Sequence, residues 1–189
     1  PLGGVAGWSE VYMNASLESY LKGYNDPRIK SYFNLAQDGR DKEGNIIKEV
    51  AGVKQLNSIE GEYKGVRQGT GVADNRYSTH SQTAITTGSK IIVMSAAEVW
   101  FLRAEAALRN YTSENVENCY KQGITVSFAQ WDASGVSEYL ESEETPAAYV
   151  DAFDKKFDAD APTSITPKWD ESAPLELKLE RIITQKWLA

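Results

Sequence analysis

The stretch Ser95-Ala96-Ala97-Glu98-Val99-Trp100-Phe101-Leu102-Arg103-Ala104-Glu105-Ala106-Ala107 constrains this chain more than any other. Ser95 and Glu98 have the spacing of a capping box, in which hydroxyl and carboxylate each satisfy a backbone N–H that the first turn leaves open. Strong helix formers follow as far as Asn110. At about 100° per residue, Glu98, Glu105 and Arg109 share one narrow stripe, while Trp100, Phe101, Ala104, Ala107 and Leu108 cover most of the remaining circumference. A helix with so little polar surface is packed on more than one side, so other elements must meet it.

The next segment supplies one. From about Glu114 to Trp131, the residues Val116, Tyr120, Gly123, Ile124, Ser127, Phe128 and Trp131 follow the spacing of a single helical face. Gly123 in mid-helix costs about 1 kcal/mol against Ala, which is tolerable where a neighbouring helix comes close. Residues 91–132 therefore predict an antiparallel helix pair of tetratricopeptide (TPR) size, although the full TPR consensus is missing. One such pair cannot bury its own face, so further elements are required.

The rest is less regular. Residues 1–35 predict two short helices, one from Ser9 or Asn14 to Lys22 that Gly23 ends, and one led by Asp26 as N-cap with Pro27 in the first helical position. Residues 36–90 hold eight of the fourteen glycines and read as loops with a small hairpin, Gly44-Asn45 being the turn signal. Residues 133–173 read as loops broken by Pro146, Pro162 and Pro167, with Tyr149, Phe153 and Phe157 spaced as one apolar helical stripe. A last helix starts after Ser172, with Pro174 in its first turn, and runs through 174–189. The start Pro1-Leu2-Gly3-Gly4 and a helical pattern that enters Trp187-Leu188-Ala189 without a stop signal lead to the expectation of a chain cut from a longer one.

A formal charge of -7 and a pI near 4.9 argue against a nucleic-acid partner, whose phosphates would need clustered Lys and Arg. The pair Lys155-Lys156 lies among Asp151, Asp154, Asp158 and Asp160, which cancel its field. Cys119 is the sole cysteine, so neither an internal disulfide nor a cysteine metal site can form. His80 is the sole histidine and has no metal-ligating neighbour at a suitable spacing, so an exposed loop residue is expected. The run Asp38-Gly39-Arg40-Asp41-Lys42-Glu43-Gly44 lacks the ligand set of a calcium loop and reads as a charged turn. Neither a metal nor a cofactor is expected.

Several stretches resemble the SusD/RagB family of nutrient-binding outer-membrane lipoproteins. Residues 95–107 resemble its central helix. Tyr120-Lys121-Gln122-Gly123-Ile124 with Ser127-Phe128 and Gln130-Trp131 is similar to the helix that follows, and Ile165-Thr166-Pro167-Lys168-Trp169 leading to Ile182-Ile183-Thr184-Gln185-Lys186-Trp187 is similar to its C-terminal region. Asp26-Pro27-Arg28 and Gly61-Glu62-Tyr63-Lys64-Gly65 have counterparts too. The resemblance implies a SusD-like protein, of which 1–189 is a single partial domain from the C-terminal part. The implied fold is mainly α: TPR-like helix pairs with long irregular loop segments and a small β-hairpin. It further implies an N-terminal lipid anchor outside this chain, a place on the extracellular face of the outer membrane, and a SusC-like TonB-dependent transporter as partner. The implied activity is capture of glycans or peptides without cleavage, so no catalytic residue is expected.

Sugar recognition needs flat aromatic faces flanked by directional polar groups. The Gly-rich loop 61–80 offers that mixture in Tyr63, Arg67, Asp74, Asn75, Arg76 and Tyr77, which are the expected ligand-binding residues. Trp100, Trp131 and Trp187 sit at core spacing and read as structural. Glu98 reads as a cap and Glu105 with Arg109 as an i, i+4 ion pair. Two readings compete with oligosaccharide capture: a TPR-like protein–protein adaptor, and a glycoside hydrolase hidden among 27 acidic residues.

Overall fold

The computed structural model of the chain describes residues 11–71 and 75–189. These residues gather into two compact units. The first takes Ile29–Lys90 and Ala147–Pro162 together with the described residues up to Lys22; the second takes Gly23–Arg28, Ile91–Pro146 and Thr163–Ala189.

In the second unit, α3 (Ala96–Leu108) and α4 (Val116–Gln130) form the expected pair, α5 (Val136–Leu140) is a short turn of helix, and α6 (Leu175–Leu188) follows Pro174. The capping-box serine works as the sequence predicts, its hydroxyl accepting from the Glu98 N–H at 3.0 Å. Asn115 caps α4 in the same way. α3 rests on both α4 and α6, burying Ala97, Phe101, Ala104 and Ala107. The close approach foreseen at Gly123 is made by Phe101: a Cβ on Gly123 would stand 2.7 Å from that ring.

The centre of this unit is polar. Asp26 and Arg28 are fully buried and ion-paired at 2.5 Å. The guanidinium also donates to Ser127 Oγ of α4 at 2.8 Å, and its carbon lies 4.8 Å from the centre of the Phe128 ring. Tyr139 of α5 sits against the same group and receives a hydrogen bond from the Gln185 amide of α6 at 3.0 Å. Asp26 is thus less a helix cap than half of a core ion pair. The tryptophans read as structural lie elsewhere. Trp187 is 51% exposed, and Trp100 and Trp131 are half-buried, Trp100 under the Arg103 guanidinium. For Trp187 the reason is that α6 docks through Arg181, Ile182, Thr184, Gln185 and Leu188 and turns Ile183 and Trp187 outward.

The first unit contains α1 (Ala15–Gly23), α2 (Ile29–Tyr32), a hairpin of β1 (Glu49–Val50) and β2 (Val53–Lys54), and a 3-10 turn at Lys155–Phe157. The hairpin turns at Ala51-Gly52, both at positive φ as a tight two-residue turn demands. The Gly44-Asn45 turn lies between an isolated bridge of Arg40 and Ile46. Asp38 is no solvated turn residue. Burial opposes its charge, but the Ile59 N–H, the Ser58 hydroxyl and the Gln55 amide outweigh that and hold its carboxyl below the ordinary range. The helical stripe expected at Tyr149, Phe153 and Phe157 does not form. Asp151 accepts from the N–H groups of Phe153 and Asp154, a local alternative that competes with helix, and Tyr149 instead bridges to Ala159.

The apolar core here is Ala36, Val50, Ile59, Tyr77, Ala152 and Phe153. His80 belongs with it: the ring is 3% exposed, stacked on Phe153 at 5.9 Å with the Tyr77 ring edge-on at 5.0 Å. The expectation of an exposed loop histidine therefore fails, because the two aromatic neighbours provide a slot that fits a neutral imidazole.

Three predictions follow from this packing. Replacing Arg28 with Met strands a buried carboxylate and is expected to cost about 3–5 kcal/mol, while adding Asp26→Asn recovers part of the loss; urea denaturation of both variants measures it. Gly123→Ala gains about 1 kcal/mol of helix propensity but forces the Phe101 ring aside, which costs about 1–3 kcal/mol in a tight core. Net destabilisation is expected, read as a lower melting midpoint. Burial, assisted by the Lys64 charge, pushes the His80 pKa down from 6.5 to about 3. A folded pKa below the unfolded one means the unfolded chain binds the extra proton, so the stability due to the neutral ring is present above about pH 6.5 and fades as pH falls toward about 3. A His80→Phe variant should lose less stability than the parent between about pH 7 and about pH 4, measured as the shift in denaturant midpoint; equal losses would refute the assignment.

Candidate ligand-binding site

The segment carrying the expected binding residues is held by its neighbours. Val66 donates to the Met13 carbonyl at 2.8 Å, Ala15 to Val66 at 3.0 Å, and Met13 to Ser81 at 2.7 Å, so residues 12–15, 64–66 and 81–83 lie side by side like short strands. Gly65 permits this closeness, since a Cβ there would stand 2.7 Å from the Asn14 carbonyl oxygen.

Beneath the segment lies a second buried ion pair. Glu18 of α1 and Lys64 meet at 2.7 Å, and the other Glu18 oxygen accepts from the Gly65 N–H at 2.7 Å. The Lys64 ammonium stands 4.3 Å from the centre of the Tyr149 ring. The Tyr149 hydroxyl donates to the Gly65 carbonyl at 2.9 Å and lies 3.1 Å from an Asp151 carboxylate oxygen, which also receives the Tyr77 hydroxyl at 3.3 Å. Burial first, and the Asp151 charge second, push both phenols well above their ordinary pKa. They remain donors at any physiological pH.

The expected residues are distributed unevenly on this frame. Arg67 is exposed and lines a cavity of about 220 Å³ with Ser16, Ser19, Tyr149 and Asp160. One of its N–H groups donates to the Asp158 carbonyl at 3.3 Å. Tyr63 is half-buried, and burial raises its phenol pKa. Asn75 is exposed at positive φ. Arg76 is half-buried and adds to the lowering of the Asp154 carboxyl, which the Lys156 side chain dominates. Tyr77 is 7% exposed and belongs to the core. Asp74 lies outside the described residues.

Sequence reasoning missed the segment 149–160. Its acidic residues read only as cancelling the Lys155-Lys156 charge, yet Asp151 is fully buried and organises Tyr77 and Tyr149, while Asp158 anchors Arg67. The available signal is the buried run Tyr149, Asp151, Ala152 and Phe153, where a carboxylate between aromatics can bind the N–H groups just after it. Among the described residues, no three metal-capable side chains converge and no helix is long and apolar enough to cross a membrane.

The chain matches the SusD-like family, described as Susd and RagB outer membrane lipoprotein, over residues 3–189. No match is found among the curated proteins. Among solved structures it is similar to a SusD homologue of Bacteroides vulgatus, with 38% identity and a TM-score of 0.80 over 100% of this chain and 36% of the other. It is also similar to a chitin-binding SusD homologue of Flavobacterium johnsoniae, with 37% identity and a TM-score of 0.79 over 96% of this chain and 34% of the other. A SusD homologue of Bacteroides thetaiotaomicron matches at 32% identity, with a TM-score of 0.76 over 93% of this chain and 34% of the other. The chain thus spans about a third of the length of these relatives. Its mainly helical fold matches theirs, and the chain belongs to the SusD-like family of outer membrane lipoproteins.

Proposed function

We propose that this protein captures glycans at the cell surface, without cleaving them, for import through a SusC-like TonB-dependent transporter. The observation that carries the reading is the similarity over 96% of this chain to a chitin-binding relative, within a family of non-catalytic binding proteins. The protein is held by a lipid on the outer face of the outer membrane.

The site proposed for this work is the 61–80 segment. Arg67 has one N–H committed to Asp158, and its planar fork offers further donors to sugar oxygens. Ser16 and Asp160 add hydroxyl and carboxylate groups around the same cavity, with the buried Ser19 and Tyr149 at its base. Tyr63, Asn75 and Arg76 are the further candidates of the same segment, with Tyr77 in the core beneath it. The buried Glu18–Lys64 pair keeps the frame fixed, so little ordering cost is left for binding.

The test is calorimetric titration of the full chain with chitooligosaccharides, other glycans and peptides, alongside Arg67→Ala and Tyr63→Ala. Selective glycan binding weakened about tenfold or more in the Arg67 variant, equivalent to ~1.4 kcal/mol, is the expected result. Peptide binding with no response to glycans would replace the ligand class, and hydrolysis of any glycan would overturn the non-catalytic reading.

A further inference from the structure

We infer that the first unit carries a recognition site for a neutral carboxamide group, in a cleft where the backbone runs 32–37 and 79–84 part from one another. The runs are antiparallel and paired at both ends of the cleft. The Ala84 N–H donates to the Tyr32 carbonyl at 2.8 Å, the Asn34 N–H to that of Gln82 at 2.9 Å, and the Gln37 N–H to that of Thr79 at 3.0 Å. Between the last two the pairing opens, because the Ala36 N–H goes to the Glu62 carbonyl at 2.7 Å and the Ser81 N–H to that of Lys64 at 2.9 Å. The gap is a cavity of about 260 Å³ whose lining includes Asn34, Leu35, Gln37, Ser78, Thr79 and His80. It shares no lining residue with the Arg67 cavity and stands apart from the glycan reading above.

What points to a ligand is a set of unmade bonds on the inner wall. His80 is 3% exposed, yet neither of its ring nitrogens finds a hydrogen-bond partner among the described residues. The hydroxyl oxygen of the adjacent Thr79 is buried without one as well. The imidazole cannot swing away to look for partners, since Phe153 stacks on it at 5.9 Å and Tyr77 meets it edge-on at 5.0 Å. Buried polar atoms are ordinarily bonded, so these neighbouring groups mark a place where a guest supplies the partners.

The guest must be neutral and must both donate and accept. No charged side chain lines the cleft, and burial, assisted by the Lys64 charge, keeps the imidazole uncharged. It therefore offers one N–H donor and one acceptor nitrogen, while the threonine hydroxyl can do either. A carboxylate meets no cation there and an ammonium meets no anion. Sugar C–H faces need an open aromatic surface, and the imidazole faces the cleft with its ring already packed against Phe153 and Tyr77. A carboxamide carries donor and acceptor on different atoms, so one group can answer the imidazole and the adjacent hydroxyl together. At the rim, the exposed Asn34 and Gln37 add amides that pair with amides, and Leu35, 52% exposed, adds apolar contact for the carbon chain behind the group. Such a group comes from a peptide or from the acetamido substituent of an amino sugar.

The experiment is ¹H–¹⁵N NMR of the full chain, reading the His80 ring nitrogens and the Thr79 and His80 amides during titration with acetamide, N-acetylglycinamide and N-acetylglucosamine. Acetate and glucose, which lack the amide, are the controls. The expected result is a saturable shift of the ring nitrogens with acetamide and with at least one larger probe, and none with either control; the larger probe that binds identifies the source. Thr79→Val keeps the side-chain shape without the hydroxyl and should weaken binding about tenfold, and His80→Phe should abolish the Thr79 response. Equal shifts with acetate or glucose, a response to acetamide alone, or unchanged affinity in Thr79→Val overturns the site. Ring nitrogens that respond to no probe leave water as the guest and overturn it too. In each of these cases glycan capture at Arg67 stands or falls by its own titration, because the two cavities have no residue in common.

Discussion

Arg28 has no route to solvent, so its guanidinium must find its partners inside the protein. It does so by reaching four places at once: the Asp26 carboxylate, Ser127 and the Phe128 face on α4, and Tyr139 on α5. Tyr139 then passes the constraint to Gln185 of α6. Burying two charges is expensive and is offset only when geometry and remaining hydrogen bonds are satisfied together. That condition makes the arrangement selective, because a helix that slips by one turn breaks several of these bonds. Pro27 matters here through its fixed φ, which brings residues two apart close enough for one Asp26 oxygen to accept from both the backbone N–H and the Nε of Arg28.

The first unit solves a different problem by similar means. Its chain is short of regular structure, so most backbone groups need partners outside helices and sheets. Backbone carbonyls supply most of them, and buried carboxylates supply four. Glu18 takes the Gly65 N–H, Asp38 takes that of Ile59, and Asp151 takes those of Phe153 and Asp154. Each also binds a side chain, so a loop is tied at two atoms rather than one. The acidity of the sequence, which reads at first as solubility and exclusion of nucleic acid, is thus partly structural.

How far this was legible depends on the range over which each residue acts. The α3–α4 pair follows from capping, propensity and a single apolar face, all properties of adjacent residues, and even the contact at Gly123 follows from the presence of glycine in a helix. His80, Asp38 and Asp151 defeat local reading because their partners are distant in sequence: Phe153 for the imidazole, Gln55 and Ile59 for one carboxylate, Tyr77 for the other. α6 defeats it for another reason. Periodicity assigns Ile182, Ile183 and Trp187 alike to the core, but only Ile182 is buried there, because the polar centre built by Arg28 and Tyr139 calls for Gln185 on the inner face and leaves Ile183 and Trp187 outside. Of the expected ligand residues, Arg67 is placed on a cavity, while Tyr77 could not be recognised as a core residue without knowing where Asp151 lies.

The titration pattern bears on what such a protein does. Proton-transfer catalysis favours groups with a pKa near the working pH. Burial here drives the perturbed groups the other way: His80 falls to about 3, and Tyr77, Tyr120, Tyr139 and Tyr149 rise, each fixed in one protonation state. Groups that do not change charge near neutral pH make constant hydrogen-bond donors and constant packing surfaces. A frame of that kind keeps the same directional groups in place across the neutral range, as the glycan capture proposed above would need.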